Sequence, residues 1–325
     1  MDDPKRIYEL LLDYCTDNLP VNRLTVGLVW TVCQTASDGT KQSSIGLSMS
    51  PGISTRLLPW AGTLTAKSIC ELAPWINSWD PYQSTIAMAA INCCINARPL
   101  PDSIALDSHL DNQNLAVFDY FLPQLQGKKV VVIGHYPGIE TYRDHFDLTV
   151  LERNPAGIDW PDSACEFVIP GADWVFITGS SLANKTFPRL AELAVDTTTV
   201  LMGPSVPWLP QFYEFGIDYL AGVEITDAEK LYRTVEQGGG VRIFGNGLRY
   251  RIATLSPENN RAWLKNQIAA CFNERNGLTA RMDQWYSENQ TARFPQLSDL
   301  ERVNARLSRM DSSFKQLWDQ QGESA

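Results

Sequence analysis

Val130-Val-Val-Ile-Gly134-His135-Tyr136-Pro137-Gly138-Ile139-Glu140 reads as an apolar strand, a tight turn and the start of a helix. A glycine at such a turn lets the backbone approach a ligand, and a helix N-terminus offers N–H donors to an anion. The same alternation continues on both sides of this stretch. From Gln113 onward, apolar segments at Lys129–Gly134, Asp147–Glu152, Trp174–Thr178, Thr199–Met202 and Tyr219–Val223 alternate with amphipathic ones. Strands that alternate with helices imply a parallel sheet covered on both faces. In that architecture ligands sit at the carboxyl ends of the strands.

Upstream the order differs. Ile7, Leu10, Leu11 and Tyr14 fall on one face of an opening helix, and Leu24–Cys33 with Ser44–Met49 bracket an Asp38-Gly39 turn as an antiparallel hairpin. Helices are expected at Ala66–Asn77 and Thr85–Ala97. Strands followed by helices make an α+β unit over residues 1–97, joined through a polar, proline-bearing linker at 98–112 to an α/β unit at 113–250. From 251 to 325 the composition becomes helical, with Ser298 and Glu301 as a capping box. Leu300, Val303, Leu307, Met310, Phe314 and Leu317 form an apolar stripe that suits either packing within the chain or a homodimer.

The chain of 325 residues is long enough for two cores. Its net charge of −10 and the lack of a basic run argue against nucleic acid as a partner. No apolar run reaches the roughly 20 residues a bilayer span needs, and the N-terminus does not read as a signal peptide, so a soluble cytoplasmic protein is expected. Seven cysteines without paired spacing suit a reducing compartment, and adjacent Cys93 and Cys94 read as core thiols.

Chemistry-bearing residues collect at the expected strand ends. Glu152 closes the second strand, about 20 residues beyond Gly134, the offset of a ribose-binding acid in dinucleotide-binding units. Thr178-Gly179-Ser180-Ser181-Leu182-Ala183-Asn184-Lys185-Thr186 follows the third strand with hydroxyls, an amide and a glycine, and Gly203-Pro204-Ser205 closes the fourth. These groups suit hydrogen bonding to a carboxylate, phosphate or sugar, and equally the capping of a helix. A GxGxxG fingerprint, a P-loop, a GxSxG elbow and a CxxC or HxxxH metal pattern are all absent from the sequence. With only three histidines, His135, His145 and Asp144 would need an awkward bend to share a metal. His135 is the best acid–base candidate, with Tyr136 beside it.

Gly134-His-Tyr-Pro137, Glu152-Arg-Asn-Pro155, Pro161-Asp-Ser-Ala164, Thr178–Thr186, Gly203-Pro-Ser-Val-Pro207, Phe215-Gly-Ile-Asp218 and Gln237-Gly-Gly-Gly240 together resemble the "putative heavy-metal chelation" family. Gly27-Leu-Val-Trp30, Ala61-Gly-Thr-Leu64, Glu71–Trp75 and Ala89-Ala-Ile-Asn92 are similar to its companion N-terminal domain. The resemblance implies an enolase N-terminal-like α+β domain joined to a Rossmann-like domain, with a site in the cleft between them. The ligand-binding residues it implies are Gly134, His135, Tyr136, Pro137, Glu152, Arg153, Thr178, Gly179, Ser180, Asn184, Thr186, Gly203, Pro204 and Ser205, with Gly62, Thr63 and Asn92 from the N-terminal side. Tyr136 stands where the family is expected to carry an aromatic residue, usually Phe.

The expected activity is binding of a metal ion, metal chelate or anionic metabolite. The alternative is an enzyme using a nucleotide-type cofactor, NAD or S-adenosylmethionine, in the same cleft.

Overall fold

An opening helix α1 (Arg6–Asp13) seats Ile7 and Leu11, one turn apart, in the core. A three-stranded antiparallel sheet follows: β1 (Val21–Val26), β2 (Trp30–Thr35) and β3 (Ile45–Met49), in that order. The sequence reading expects one strand over Leu24–Cys33, and the structure breaks it. Gly27 donates its N–H to Trp30 O at 3.0 Å and closes a tight turn there. A Cβ at Gly27 would lie 2.8 Å from both Trp30 O and the Val235 side chain, so only glycine fits. The turn is masked in sequence because Leu28 and Val29 keep it apolar, although Leu28 is 78% exposed. The computed structural model describes residues 3–16, 18–37, 43–54, 56–98, 100–106, 113–288 and 291–322; the expected Asp38-Gly39 turn and Pro99 lie outside them.

The helix expected over Ala66–Asn77 is a short helix α2 (Ile69–Leu72) followed by a 3₁₀ turn at Ala73–Asn77. Pro74 lacks the N–H an α-helix needs and tightens the chain at this point. α3 (Pro81–Asn96) begins four residues before the expected Thr85. Asp80 is its N-cap, with Oδ1 accepting from Tyr82 N at 2.9 Å and Gln83 N at 3.1 Å, and Pro81 occupies the first helical position.

α3 solves the problem of the open edge of β3. Outward carbonyls on an edge strand are unpaired, and here the helix covers them with polar side chains. Asn96 Nδ2 donates to Ile45 O at 2.8 Å, Asn92 Nδ2 to Leu47 O at 2.8 Å, and Thr85 Oγ1 to Met49 O at 3.3 Å. Asn92 and Asn96 are one helical turn apart, which matches the two-residue repeat of the strand. Cys93 and Cys94 are core thiols that donate to Ser44 O and Tyr14 O, each at 2.9 Å.

The second sheet has eight strands. They are β4 (Ile104–Ala105), β5 (Lys129–Ile133), β6 (Asp147–Glu152), β7 (Trp160–Pro161), β8 (Trp174–Thr178), β9 (Thr198–Met202), β10 (Tyr219–Ile225) and β11 (Leu248–Thr254), in spatial order β4-β11-β10-β9-β8-β5-β6-β7. Strands β5 to β10 are mutually parallel, and β11 and β4 are antiparallel additions at one edge. The expected linker therefore contains a strand. Leu106 N donates to Tyr250 O at 2.9 Å and Arg251 Nη2 to Ser103 O at 2.6 Å, and two residues of strand are too short for any sequence period to reveal.

Alternate residues leave the sheet on opposite faces, and both sets are buried. Val130, Val132, Phe176, Val200, Met202 and Ala221 share a core with helix α4 (Ala116–Leu125) and with Trp30, Val32 and Leu47 of the small sheet. Val131, Ile133, Val175, Ile177 and Leu201 fill the other side. Short helices α5 (Cys165–Val168), α6 (Ser180–Ala183) and α7 (Phe187–Leu193) lie on the crossovers, and α8 (Ala228–Glu236) links the antiparallel pair β10 and β11. The fold is thus α/β with a parallel-dominated sheet, a separate small sheet and a helical extension, the class expected from the sequence.

Met1–Leu255 form one compact unit, and Ser256–Ala325 form a second. The second is a pair of helices, α9 (Pro257–Ser287) and α10 (Leu297–Gly322), which pack on each other. Leu300, Val303 and Met310 of the expected stripe are buried, and Arg306, itself buried, pairs with Glu274. Among the described residues no helix is long and apolar enough to cross a membrane.

Candidate functional site

The order of strands locates a topological switch point. From β5 the chain moves outward through β6 and β7, then returns to the other side of β5 and continues through β8, β9 and β10. Connections leave the sheet in opposite directions on either side of the β5–β8 boundary, and ligands of open α/β sheets sit at such a switch point, outside the carboxyl ends. Two glycines with positive φ mark it. Gly134 (φ 97°) ends β5 and donates to Leu151 O at 2.8 Å, and Gly203 (φ 112°) ends β9 and donates to Ala221 O at 3.0 Å. A Cβ at Gly134 would lie 3.4 Å from Thr178 Cβ, and one at Gly203 would lie 3.6 Å from Tyr136 Oη. Gly134, Tyr136, Thr178 and Gly203 therefore gather at one edge, from three strands.

Tyr136 stands with its ring edge-on to Phe118 and its hydroxyl beside Gly203. Burial pushes its phenol well above the ordinary range, the negative charge of Glu152 adds to the rise, and the Thr178 side chain opposes it. At neutral pH Tyr136 is consequently a hydrogen-bond donor. Thr178 Oγ1 also lies 3.1 Å from Ser180 Oγ, and Gly179 is packed so closely that a Cβ would meet Val206 N at 2.8 Å. Glu152 ties the first two strand ends together. Its Oε2 accepts from His135 N at 3.0 Å, and its Oε1 accepts from Arg153 N at 2.7 Å. The Arg153 guanidinium reaches Asp162 at 3.8 Å, and Pro137 O accepts from Asn114 Nδ2 at 3.0 Å.

His135 has a partner that the sequence reading misses. Its Nδ1 lies 2.9 Å from Oδ1 of Asp159, whose side chain is 2% exposed while the imidazole is 37% exposed. Asp159 Oδ2 accepts from Ala156 N at 3.2 Å. The signal for it was weak: Asp159 precedes β7, a strand only two residues long. His145 is elsewhere. It lies just before the start of β6, whereas His135 follows the end of β5, so the two occupy opposite ends of the sheet. Among the described residues no three His, Cys, Asp or Glu side chains group to hold a metal ion.

The other expected site residues are engaged in local turns or in joining elements of the fold. Asn184 Oδ1 accepts from Thr186 N at 3.1 Å and Thr186 Oγ1 at 2.7 Å, a local turn. Ser205 Oγ accepts from Met49 N at 2.9 Å, and Ser205 O accepts from Asn92 Nδ2 at 3.0 Å, which fastens the Gly203–Ser205 loop, with its buried Pro204, to the edge of β3. Gly62 (φ 80°) and Thr63 stand in an exposed turn, where Thr63 Oγ1 donates to Trp60 O at 2.8 Å.

Between Asn184 and Thr186, Lys185 takes a left-handed φ of 71°, a conformation that costs a side-chain-bearing residue about 1–2 kcal/mol. Its Nζ donates to Ser84 Oγ at 2.5 Å and Ala183 O at 3.1 Å, and lies over the Tyr8 ring. Burial lowers its pKa to about 8. Between pH 8 and its ordinary value of about 10.4 the unfolded chain holds a proton that the folded chain has released, so stability gained from this group rises with pH across that window. Lys185→Met removes the dependence. Urea unfolding at pH 7 and pH 9.5 is expected to show wild type gaining on the variant at the higher pH; parallel behaviour would refute the assignment.

The fold and this edge define an α/β protein with a parallel-dominated sheet that reverses direction at the β5–β8 boundary, and a separate small antiparallel sheet. Residues 8–95 and 116–254 match two family models, DUF4213 and DUF364, each described as "Putative heavy-metal chelation". The chain belongs to that family. A protein of unknown function from the DUF364 family of Desulfitobacterium hafniense DCB-2 is 27% identical, with a TM-score of 0.67 over 78% of this chain and 100% of that one. Another from Pyrococcus horikoshii, 18% identical, shares the fold with a TM-score of 0.63 over 77% of this chain and 99% of that one. No curated protein matches the chain.

Proposed function

We propose that the chain binds a small anionic metabolite or its metal chelate at the β5–β8 switch point, in a cleft between a Rossmann-like unit and an enolase N-terminal-like one. The observation that carries this reading is the gathering of Gly134, Thr178, Gly203 and the Tyr136 hydroxyl, from three strand ends, at the place where an open sheet receives a ligand. Hydroxyl donors in a partly buried setting suit carboxylate or phosphate oxygens. With no group of three metal-binding side chains among the described residues, the reading favours a metal that arrives with most of its donors already supplied. Calorimetric titration with citrate and with citrate complexes of nickel, cobalt, zinc and iron tests the reading. At least one is expected to bind, and Thr178→Val is expected to weaken it about tenfold, the value of a hydrogen bond lost to a charged group. Absence of heat with every probe overturns the proposal.

A second reading has one observation behind it. Glu152 ends the strand beside β5 and holds the backbone of the Gly134–Pro137 turn, the position of a ribose-binding acid. An enzyme using NAD or S-adenosylmethionine would show a rise in melting temperature with one of them, abolished by Glu152→Ala. No shift with either removes that reading.

A further inference from the structure

We infer that the Nε2 atom of His135 is a single protein ligand to the metal of a bound chelate, with Asp159 as the residue that positions it. This rests on the proposed binding of a metal chelate at the same sheet edge, and it specifies which atom of the chain meets the metal.

The dyad is built as a metal-binding histidine is built. A ligating imidazole nearly always donates its other ring N–H to a carboxylate or carbonyl, which fixes the tautomer, aims the ring and raises the basicity of the ligating nitrogen. A carboxylate can only accept, so the Nδ1 facing Asp159 Oδ1 at 2.9 Å carries the hydrogen. The lone pair of the neutral ring is then on Nε2. Asp159 is itself held, buried to all but 2% and bonded through its other oxygen to Ala156 N. The backbone of His135 is held as well, through its N–H to Glu152 Oε2. Backbone, ring orientation and tautomer are all set before any ligand arrives, while the ring remains 37% exposed and can be reached.

Donor arithmetic then decides what kind of metal species fits. His145 is at the other end of the sheet, and among the described residues no three potential ligands group together. A bare divalent ion held by one imidazole would keep its remaining sites on water and bind weakly, since first-row metals need four to six donors. A chelate that already fills three or four positions and leaves one open needs one well-aimed nitrogen. Tyr136, the next residue, and Thr178 present hydroxyls at the same sheet edge. The class of ligand is therefore a coordinatively unsaturated complex of a borderline metal, such as copper, nickel or zinc, with a small polycarboxylate or aminocarboxylate.

The test uses the full chain and copper(II) iminodiacetate, a tridentate chelate with an open position. Electron spin-echo spectroscopy of the mixture is expected to show the modulation of the remote nitrogen of one imidazole. His135→Ala is expected to abolish it, His145→Ala to leave it unchanged, and Asp159→Asn to weaken binding by roughly 10–100-fold while the urea midpoint stays near wild type. An unchanged signal in His135→Ala overturns the inference, as does full affinity in Asp159→Asn. If citrate complexes bind in calorimetry but copper iminodiacetate shows no imidazole signal, the inference falls and the proposed function stands. If no chelate binds by either method, the chelate reading falls with it.

Discussion

Gly46→Ala is expected to lower the stability of the Met1–Leu255 unit by about 4 kcal/mol or more, the range reached only when a substitution breaks packed backbone. A Cβ built at Gly46 would stand 2.0 Å from Cys93 N, 2.3 Å from Ala89 O and 2.6 Å from the carbonyl carbon of Asn92. All three are backbone atoms of α3, in mid-helix, and none can rotate away. The strand cannot retreat either. On its outer edge β3 is gripped by Asn96 and Asn92, and on its inner edge it pairs with β2 from Trp30↔Met49 to Gln34↔Ile45. Relief requires the helix to lift from the strand, which gives up the side-chain bonds to Ile45, Leu47 and Met49 together. Each such bond contributes about 1 kcal/mol, more where a buried carbonyl is left unpaired. For a unit of this size the melting temperature should fall by about 10 °C. Urea and thermal unfolding of the variant check this, and a loss under 1 kcal/mol would show that the helix–strand contact is looser than described.

Strands β5, β8, β9 and β10 were legible in the sequence because each carries an apolar run closed by glycine or polar residues, and β6 because Leu148, Val150 and Leu151 are bounded by Asp147 and Glu152. β4, β7 and β11 were not. The first two are two residues long, and β11 alternates Arg249, Tyr250 and Arg251, whose charges are balanced by Glu224 across the pair rather than by solvent alone. An antiparallel strand with one half-exposed face, as β11 is, carries no continuous apolar signal. The turn at Gly27 was hidden for the opposite reason, since Leu28 and Val29 extend the apolar run through it. At the sheet edge, the convergence of Gly134, Tyr136, Thr178 and Gly203 could be read from strand ends. Asp159 and Lys185 could not, because their partners, His135 and Ser84, are 24 and 101 residues away in the chain and only the fold brings them close.

Asn92→Asp should be strongly damaging at neutral pH although the two side chains are isosteric. Asn92 is 2% exposed, and its amide nitrogen donates to Leu47 O and to Ser205 O, linking the edge of the small sheet to the loop that closes β9. An ionised aspartate supplies no donor. Both carbonyls lose their partner, at about 1–3 kcal/mol each, and a buried negative charge then faces two carbonyl oxygens. The Oδ1 of Asn92 already lacks a hydrogen-bond partner, so no N–H stands ready to receive the charge. A loss of about 4 kcal/mol at pH 7 follows as an order of magnitude. Burial without donors raises the folded-state pKa of the new carboxyl above its unfolded value near 3.9, so the unfolded chain releases its proton first and stability falls as pH rises through that window. Below it the neutral carboxylic acid restores one of the two donors. Asn92→Asp should therefore approach Asn92→Ala in stability at pH 4 and fall below it at pH 7, measured by urea unfolding of both variants. Chelate affinity should follow the same course, because Ser205 holds the Gly203 turn at the switch point through this amide. Equal stability of the two variants at both pH values would mean that the amide does not join these elements, and that Asn92 contributes to the site, if at all, by direct contact with the ligand.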